Sequence, residues 1–513
     1  MLFTVLSCLL AALLAFVMSC RSSRSQEKEK PLPPGPPKLP VIGNLHQVPR
    51  LRFWETMADF VDRHGPIVSV KLGQQQLIIL GNQKVARYLL DRKNTKYNSR
   101  PHFRVAERAW LGPMVALMPY GPEWRVYHLM QVAVLSSRAV RLYDKIFSME
   151  TTQLLHDLLS TSDYQPRIRR YSSGLAYAVA YGMRMPRGDE LEIQEIQEIT
   201  SKFFIAAQPG YWSVDNFPFL RYLPGFLAPW KPFAAHVNQL ISDVLERAYS
   251  NALERNSWSW ARVLAEQESL KAVPKSSLAL VVGELYAAAH FSSSNLLVTL
   301  IQLILYHPEE AQRAQKELDS MVGAQRLPRI ADLENMPYVR AFVRETLRWL
   351  PSSGVPHAST EDDEYMGYRI PRGSMVVPHY WFVDMDSNVY MDPLKFRPER
   401  FLNDPKLPLR TFGFGSRICT GQYFAQHSFS MVIMRLLWAY HIRFPDYVDT
   451  KAEPIGHLDS RIFTPNEKPT EVVFTPRSHA HRKVIEQAYA SLDSVDDALK
   501  SLQSIEVNTP KNF

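Results

Sequence analysis

Phe412-Gly413-Phe414-Gly415-Ser416-Arg417-Ile418-Cys419-Thr420-Gly421 is the stretch on which the reading of this chain turns. Two glycines precede a single thiol and a third follows it. Gly413 and Gly415 let the backbone turn tightly and come close to a flat ligand. Arg417 can pair with a carboxylate and favours thiolate over thiol. An apolar helical pattern over residues 423–437 comes directly after, which puts Cys419 at a helix N-terminus, where the helix dipole lowers a thiol pKa further.

The chain has three cysteines, and Cys8 and Cys20 belong to an N-terminal apolar run or its edge. Cys419 is thus alone in the body, which rules out disulfides there and agrees with a reducing compartment. A zinc site is excluded for want of partner cysteines or clustered histidines. A metal-ligating thiolate, a nucleophilic thiol and a buried structural cysteine all remain open on these residues alone.

Upstream of this loop, helical periodicity predicts a helix over 337–350, on which Glu345 and Arg348 project together from one face. Phe396-Arg397-Pro398-Glu399-Arg400-Phe401 lies between that helix and the thiol. Residues 278–306 carry one charge, Glu284, and read as a helix apolar on nearly every face, hence buried. Glu284, His290, Ser292, Ser293, Ser294 and Asn295 make it too polar for a membrane span and favour a central core helix. Near the start, the pattern predicts a helix over 52–63, strands over 67–72 and 77–80, and a helix from Gln83; short strands are expected at 368–370 and 374–377. Residues 209–233 form a proline- and aromatic-rich interruption, suited either to a packed loop or, if exposed, to a membrane surface or substrate entrance.

Residues 2–19 are uncharged and leucine-rich, and as a helix would run about 27 Å, enough to span a bilayer core. No Lys or Arg precedes this run and no small-x-small cleavage pattern follows it, which favours an uncleaved anchor over a signal peptide. Arg21, Arg24, Lys28 and Lys30 come next and place the body in the cytosol by the positive-inside bias. The proline-rich stretch 31–37 reads as a stiff spacer. The division expected is therefore an anchor at 1–20, a charged stop and hinge at 21–45, one large catalytic domain at 46–478 and a tail at 479–513. A chain of 513 residues, 46% hydrophobic, can bury a core of that size. The net charge of +8 comes from dispersed basic residues interleaved with acids, without base-reading motifs, so nucleic acid is excluded and an acidic protein partner or a membrane surface is favoured.

The segment 412–421 resembles the haem loop of the cytochrome P-450 family, F-x-x-G-x-R-x-C-x-G, at every specified position: Phe412, Gly415, Arg417, Cys419 and Gly421. The likeness extends from Pro33-Pro34-Gly35-Pro36 through Tyr120-Gly121-Pro122-Glu123-Trp124 to at least Leu437. Fungal secondary-metabolism members look similar in Trp212-Ser213-Val214-Asp215-Asn216-Phe217-Pro218 and in residues 354–363. The resemblance implies a mostly α fold with a small β region behind an N-terminal transmembrane helix, with haem b held by Cys419 as axial thiolate. It implies a structural ionic cluster of Glu345, Arg348 and Arg400, and haem propionate contacts from Trp124, His128, His357 and Arg417. His128 stands where the family usually has Arg, so that one contact would titrate near neutrality, unless Arg125 takes the propionate instead. The implied activity is a monooxygenase acting on a lipophilic small molecule in an endoplasmic reticulum membrane. Because no dinucleotide fingerprint is present, NADPH electrons would arrive through cytochrome P-450 reductase, with cytochrome b5 as a second donor. Candidate pocket segments are 103–118, 286–291 and 352–355.

The larger departure lies at Leu285-Tyr286-Ala287-Ala288-Ala289-His290-Phe291-Ser292-Ser293, which aligns with a family pattern of the type L-Y-A-A-G-x-D-T-T. The usual Gly is Ala289, the acid is Phe291 and the oxygen-side Thr is Ser292. Phe291 cannot donate a proton, which leaves Ser292 as hydroxyl donor and His290 as the only nearby group titrating near pH 7. Three activities stay open: ordinary monooxygenation through Ser292 and water, a specialised coupling, cyclisation or rearrangement, and haem binding without turnover.

Overall fold

A computed structural model describes residues 30–49, 53–208, 210–255, 257–349, 354–448 and 471–492, together with 498, 499 and 502. The expected anchor at 1–20 lies outside the described residues. Helices dominate, and the central one is Lys275–Tyr306. It packs against Pro122–Leu135, Tyr164–Tyr181, Trp230–Glu254, Trp260–Ala265 and Gln422–Ala439. Residues 278–286 and most of 296–305 are buried on all sides, as an apolar helix surrounded by others must be. By length and composition Lys275–Tyr306 is apolar enough to cross a membrane, but it is the core of the body.

At one edge sits a four-stranded sheet. Ile67–Leu72 turns at Gly73 into Gln75–Leu80, which pairs in parallel with Met375–Pro378, itself antiparallel to His357–Ala358. Leu77, Ile78, Ile79 and Leu80 are all fully buried, so this strand is covered on both faces and reads as an unbroken apolar run. Periodicity places most elements within a residue or two: Phe53–His64 for 52–63, Pro337–Trp349 for 337–350, Gln422–Ala439 for 423–437, and Tyr368–Ile370 as expected. The strand at 77–80 begins two residues earlier, since the polar Gln75 and Gln76 still pair with Leu72 and Lys71.

Two boundaries need correction. The stretch expected to be a hinge does not hang free after residue 33: Pro33 is buried, Pro34 accepts the Ser69 amide, and the buried Asn44 side chain donates to the carbonyls of Pro36 and Pro37. Proline lacks the amide but keeps the carbonyl, and those carbonyls are what dock it. The body also continues past 478, because His479–Ala490 forms a helix whose Ile485 is fully buried and whose Tyr489 stacks on His156 at 3.8 Å.

The expected ionic cluster is formed. Arg348 donates to Glu345 through Nε and Nη2 at 2.9 and 2.8 Å, and Arg400 Nε donates to the same carboxylate at 3.1 Å. The Arg397 amide completes it at 2.8 Å. Glu345 and Arg348 have no exposed surface. Removing one member of a buried pair strands the remaining charge, so Glu345→Ala should cost about 3–5 kcal/mol. Thermal unfolding of the purified variant checks this, and an unchanged midpoint would remove the cluster from its structural role.

Candidate active site

The thiol loop is built by short-range backbone bonds and by a close approach that only glycine allows. The Cys419 amide donates to Phe412 O at 2.8 Å, closing the loop on itself. Gly413 and Gly415 adopt φ of 93° and 56°, and a Cβ on Gly415 would lie 2.4 Å from both Leu90 O and Asn94 Oδ1. Asp91 and Asn94 accept the Gly415 and Ser416 amides at 2.9 and 3.0 Å, which anchors the loop to the 88–97 region. Burial pushes the Cys419 thiol up, and a hydrogen bond from the Gly421 amide opposes this. The expected lowering by Arg417 is not found, because that side chain turns away from the thiol.

Arg417 instead donates to the carbonyls of Asn98, Val115 and Met118 and lies over the Trp124 ring at 4.3 Å. Arg100, which sequence reasoning did not single out, donates to the carbonyls of Ala116, Val355 and Pro356 at 2.9, 2.8 and 3.0 Å. Burial pushes Arg100 down to about 10 and Arg417 down to about 9, and each guanidinium depresses Arg417 or the nearby His357 further. His357 is buried with Nδ1 against Tyr97 O at 2.8 Å, and burial with the two arginines takes it down to about 3. His128 stacks on Trp124 at 4.4 Å and is also shifted down, by burial and by Arg417. Arg125 is exposed and lies near the Tyr120 ring instead. The Trp124 indole N–H donates to Val115 O at 3.1 Å.

The peptides of Val115 and Ala116 form a strap between these cations and an acid. Their carbonyls face Arg417 and Arg100, while their amides donate to Glu284 of the central helix at 2.9 and 2.8 Å. Gln131 Nε2 donates to the same carboxylate at 3.0 Å, and its Oε1 accepts from Thr420, next to the thiol, at 3.1 Å. Glu284 was visible in the sequence as the sole charge of an apolar run, and its partners were not.

Midway along the central helix, Ala288 and Ser292 are exposed between two buried stretches. Ser292 Oγ donates to Ala288 O at 2.7 Å, a bond within the helix. His290 is not brought to this face. It is buried, with Nδ1 at 2.9 Å from Ser173 Oγ, and burial with Arg169 takes it down to about 4. Neutral at pH 7 and turned into the contact with Tyr164–Tyr181, it packs the core, which corrects its assignment as a proton donor. Phe291 packs at a tilt against Phe204 of helix Leu191–Ala206, with ring centroids 4.2 Å apart. Of the expected pocket segments, 352 and 353 lie outside the described residues, while Val355 and Ala116 meet through Arg100.

The family model for Cytochrome P450 matches residues 33–474. The chain is 39% identical to Cytochrome P450 monooxygenase aneD of Aspergillus aculeatus over 91% of its own length and 92% of the relative. It is 37% identical to Cytochrome P450 monooxygenase drtD of Aspergillus calidoustus, covering 91% and 90%. Fumitremorgin C synthase of Neosartorya fischeri is 36% identical, with 92% and 93% covered. The chain belongs to the cytochrome P450 family.

The residues present fit the haem that this P450 family uses. Among the described residues no group of three or more His, Cys, Asp or Glu could hold a bare metal ion, so a lone thiol suits an iron that brings its own macrocycle. Cys419 keeps accessible surface although protein surrounds it, as a ligand facing an internal space would. Arg100 and Arg417 are buried on backbone carbonyls, and no Asp or Glu is among the groups acting on their charge. Buried cations call for an anion, and haem propionates supply two.

Burial raises Glu284 to about 7 from its ordinary value of 4.5. A carboxyl raised in the folded state binds its proton there while the unfolded chain has released it, so its contribution falls as pH rises from 4.5 to 7. Wild type should lose stability relative to Glu284→Gln across that interval. Unfolding midpoints of both proteins at several pH values test this, and a constant gap would mean that Glu284 is ionised throughout.

Proposed function

We propose that this protein is a membrane-anchored haem-thiolate monooxygenase that oxidises a lipophilic small molecule in fungal secondary metabolism. The observation that carries it is Cys419, the only cysteine of the body, held on a loop that fits the family's haem loop at every fixed position. Haem b, when bound there, would supply reductive activation of dioxygen, using NADPH electrons delivered by cytochrome P-450 reductase or cytochrome b5. Family membership and the relatives named as monooxygenases support the reaction class.

In this reading the protein's own groups have separable tasks. Cys419 would hold the iron. Arg417, Arg100 and His357 would receive the propionates, and such an anion would draw His357 back toward its protonated form. Trp124 acts as a platform beneath Arg417 rather than as a donor, its N–H being held by Val115, and His128 extends the stack. Phe412 and Gly421 bound the thiol loop on either side. Phe291 and Phe204 close an apolar roof, which favours uncharged substrates. Ser292, donating to Ala288 O, still has lone pairs to accept from a water and hold it for proton delivery. Coupling, cyclisation or rearrangement is the second reading, with the altered 289–292 stretch in its favour.

The anchor at 1–20 and a position on the endoplasmic reticulum with the body in the cytosol belong to the same reading. The exposed side chains of Phe219, Tyr222, Phe226 and Leu227 support a second membrane contact, with Tyr222 75% and Phe226 84% exposed.

Cys419→Ser should abolish the band at about 450 nm of the reduced carbon monoxide complex, since a hydroxyl replaces the thiolate. A variant keeping that band and its activity would refute the ligand role. Ser292→Ala should lower coupled turnover about tenfold and raise peroxide released per NADPH at unchanged haem content. Unchanged coupling would move proton delivery to water alone or to the substrate. Deleting residues 1–30 should release much of the protein from membranes with its haem spectrum intact, and complete retention after carbonate extraction would reassign the anchor.

A further inference from the structure

Tyr380 opens the short helix Tyr380–Asp384, directly beyond the strand Met375–Pro378 that pairs with His357–Ala358. The residue before it, His379, is pinned through Nε2 to Trp54 O at 3.0 Å, and its carbonyl accepts the Val383 amide at 3.0 Å. With its base fixed in this way, the Tyr380 ring runs past Phe414, the two centroids 6.2 Å apart. Its hydroxyl ends between two glycine backbones: a Cβ on Gly354 would stand 2.2 Å from it, and one on Gly413 would stand 3.5 Å from it. Gly354 thus leaves the space that the hydroxyl occupies, and Gly413 belongs to the thiol loop.

Among the described residues nothing accepts from this hydroxyl. Tyr97, Tyr143, Tyr390 and Tyr440, which are also buried, each reach an oxygen. The unbonded hydroxyls of Tyr181, Tyr249 and Tyr286 are sealed by surrounding atoms, whereas Tyr380 keeps 7% of its surface. Burial holds the phenol well above its ordinary range, so it remains a donor at neutral pH. Arg100 has a spare donor beside it. Arg100 Nε and Nη1 are taken by the carbonyls of Ala116, Val355 and Pro356, the last two following Gly354 directly in the chain, and Nη2 has no partner among the described residues. Arg100 and Tyr380 act on each other's ionisation, as groups a short distance apart do. A guanidinium N–H and a phenol O–H are therefore both unsatisfied next to residues 354–356. Buried donors left unpaired are costly, and a carboxylate, with about four lone-pair sites, can accept from both. The Trp124 N–H, a neutral donor that could have served, is held by Val115 O.

We propose that the Tyr380 hydroxyl and Arg100 Nη2 together hold one haem propionate, which makes Tyr380 a cofactor-holding residue beyond Trp124, His128, His357 and Arg417. This rests on the haem-thiolate reading and adds to it a residue that the haem-loop resemblance does not mark. A phenol suits the place because it donates without adding charge beside two buried guanidiniums. Its bond to an ionised carboxylate is of the charge-assisted kind, about twice as strong as one between neutral groups. Withdrawing that donor leaves more negative charge near the iron, which favours the ferric state.

The test compares full-length wild type with Tyr380→Phe, which removes the hydroxyl and keeps the ring. Each protein is loaded with haem or with haem dimethyl ester, whose propionates carry no charge, and the rate of haem transfer to excess apomyoglobin is measured. Tyr380→Phe should lose haem about tenfold faster than wild type, as expected for a hydrogen bond to a charged group. With the ester that ratio should shrink to about threefold or less, as for a bond between neutral groups. The ferric–ferrous midpoint potential of the haem-loaded variant should fall below that of wild type. Unchanged haem loss overturns the assignment. Equal acceleration with haem and with its ester also overturns it, since the substitution would then loosen the pocket without touching a propionate. A midpoint potential that does not fall overturns it as well. Wild type that takes up haem without the thiolate band of its reduced carbon monoxide complex would sink the haem-thiolate reading and the Tyr380 assignment together. Wild type that shows the band, with haem loss unchanged in Tyr380→Phe, sinks the assignment alone.

Discussion

One carboxylate with no exposed surface organises the stretch from residue 384 to the thiol loop. Glu345 is tolerable there because two guanidiniums, a backbone amide and the Trp349 indole N–H meet it, and each guanidinium then directs remaining donors to buried backbone carbonyls. Arg348 reaches Asp384 O and Pro393 O, and Arg400 reaches the carbonyls of Met391, Asp392 and Lys395. A stretch with little regular structure is thereby held by side chains in place of a backbone ladder. The thiol loop begins where this stretch ends, and Thr411 ties it back to Leu347 O at 2.6 Å. The position of Cys419 is thus inherited from a charge cluster rather than from a neighbouring strand.

A second charge arrangement works differently. Glu284 and the pair Arg100 and Arg417 do not touch; the peptides of Val115 and Ala116 lie between them, amides toward the acid and carbonyls toward the cations. Peptide dipoles oriented this way are stabilised at both ends, so the strap is fixed without any regular secondary structure of its own. The arrangement links the central helix, the strap and the thiol loop through Gln131 and Thr420, so displacement of one is felt by the other two. It also leaves both cations short of a negative charge, which is the condition under which an incoming dianionic group is bound strongly.

Local patterns made much of this legible in advance. The thiol loop, the central helix, and the cluster of Glu345, Arg348 and Arg400 follow from spacing and from resemblance, because their residue types are dictated by short-range geometry or by burial. Arg100 was not legible: its partners are carbonyls, which every residue carries, so no side-chain pattern announces it. The strap was hidden for the same reason. Glu284 was seen but read only as an argument against a membrane span, since its acceptor role depends on a loop more than a hundred positions away in the chain. The proline stretch misled in the opposite direction. Stiffness is written in its composition, whereas docking depends on Asn44, whose two carbonyl contacts cannot be inferred from prolines.

The middle of the central helix shows how helical spacing sorts a polar cluster that looks uniform in sequence. At about 100° per residue, His290 and Ser293 fall on one side and Ala288 and Ser292 on another. His290 and Ser293 are buried, and the histidine meets Ser173 and stacks on Tyr286 at 6.0 Å. Phe291 projects toward Phe204 and joins the overlying helix by ring contact, in a position where a carboxylate would need a cation from that helix or remain unpaired. Replacing an acid by a ring at such a position therefore does two things at once. The ring offers no proton there, and it ties the two helices by an apolar contact rather than by an ion pair. Ser292 is left as the one hydroxyl on the exposed face of this turn, bonded back to Ala288.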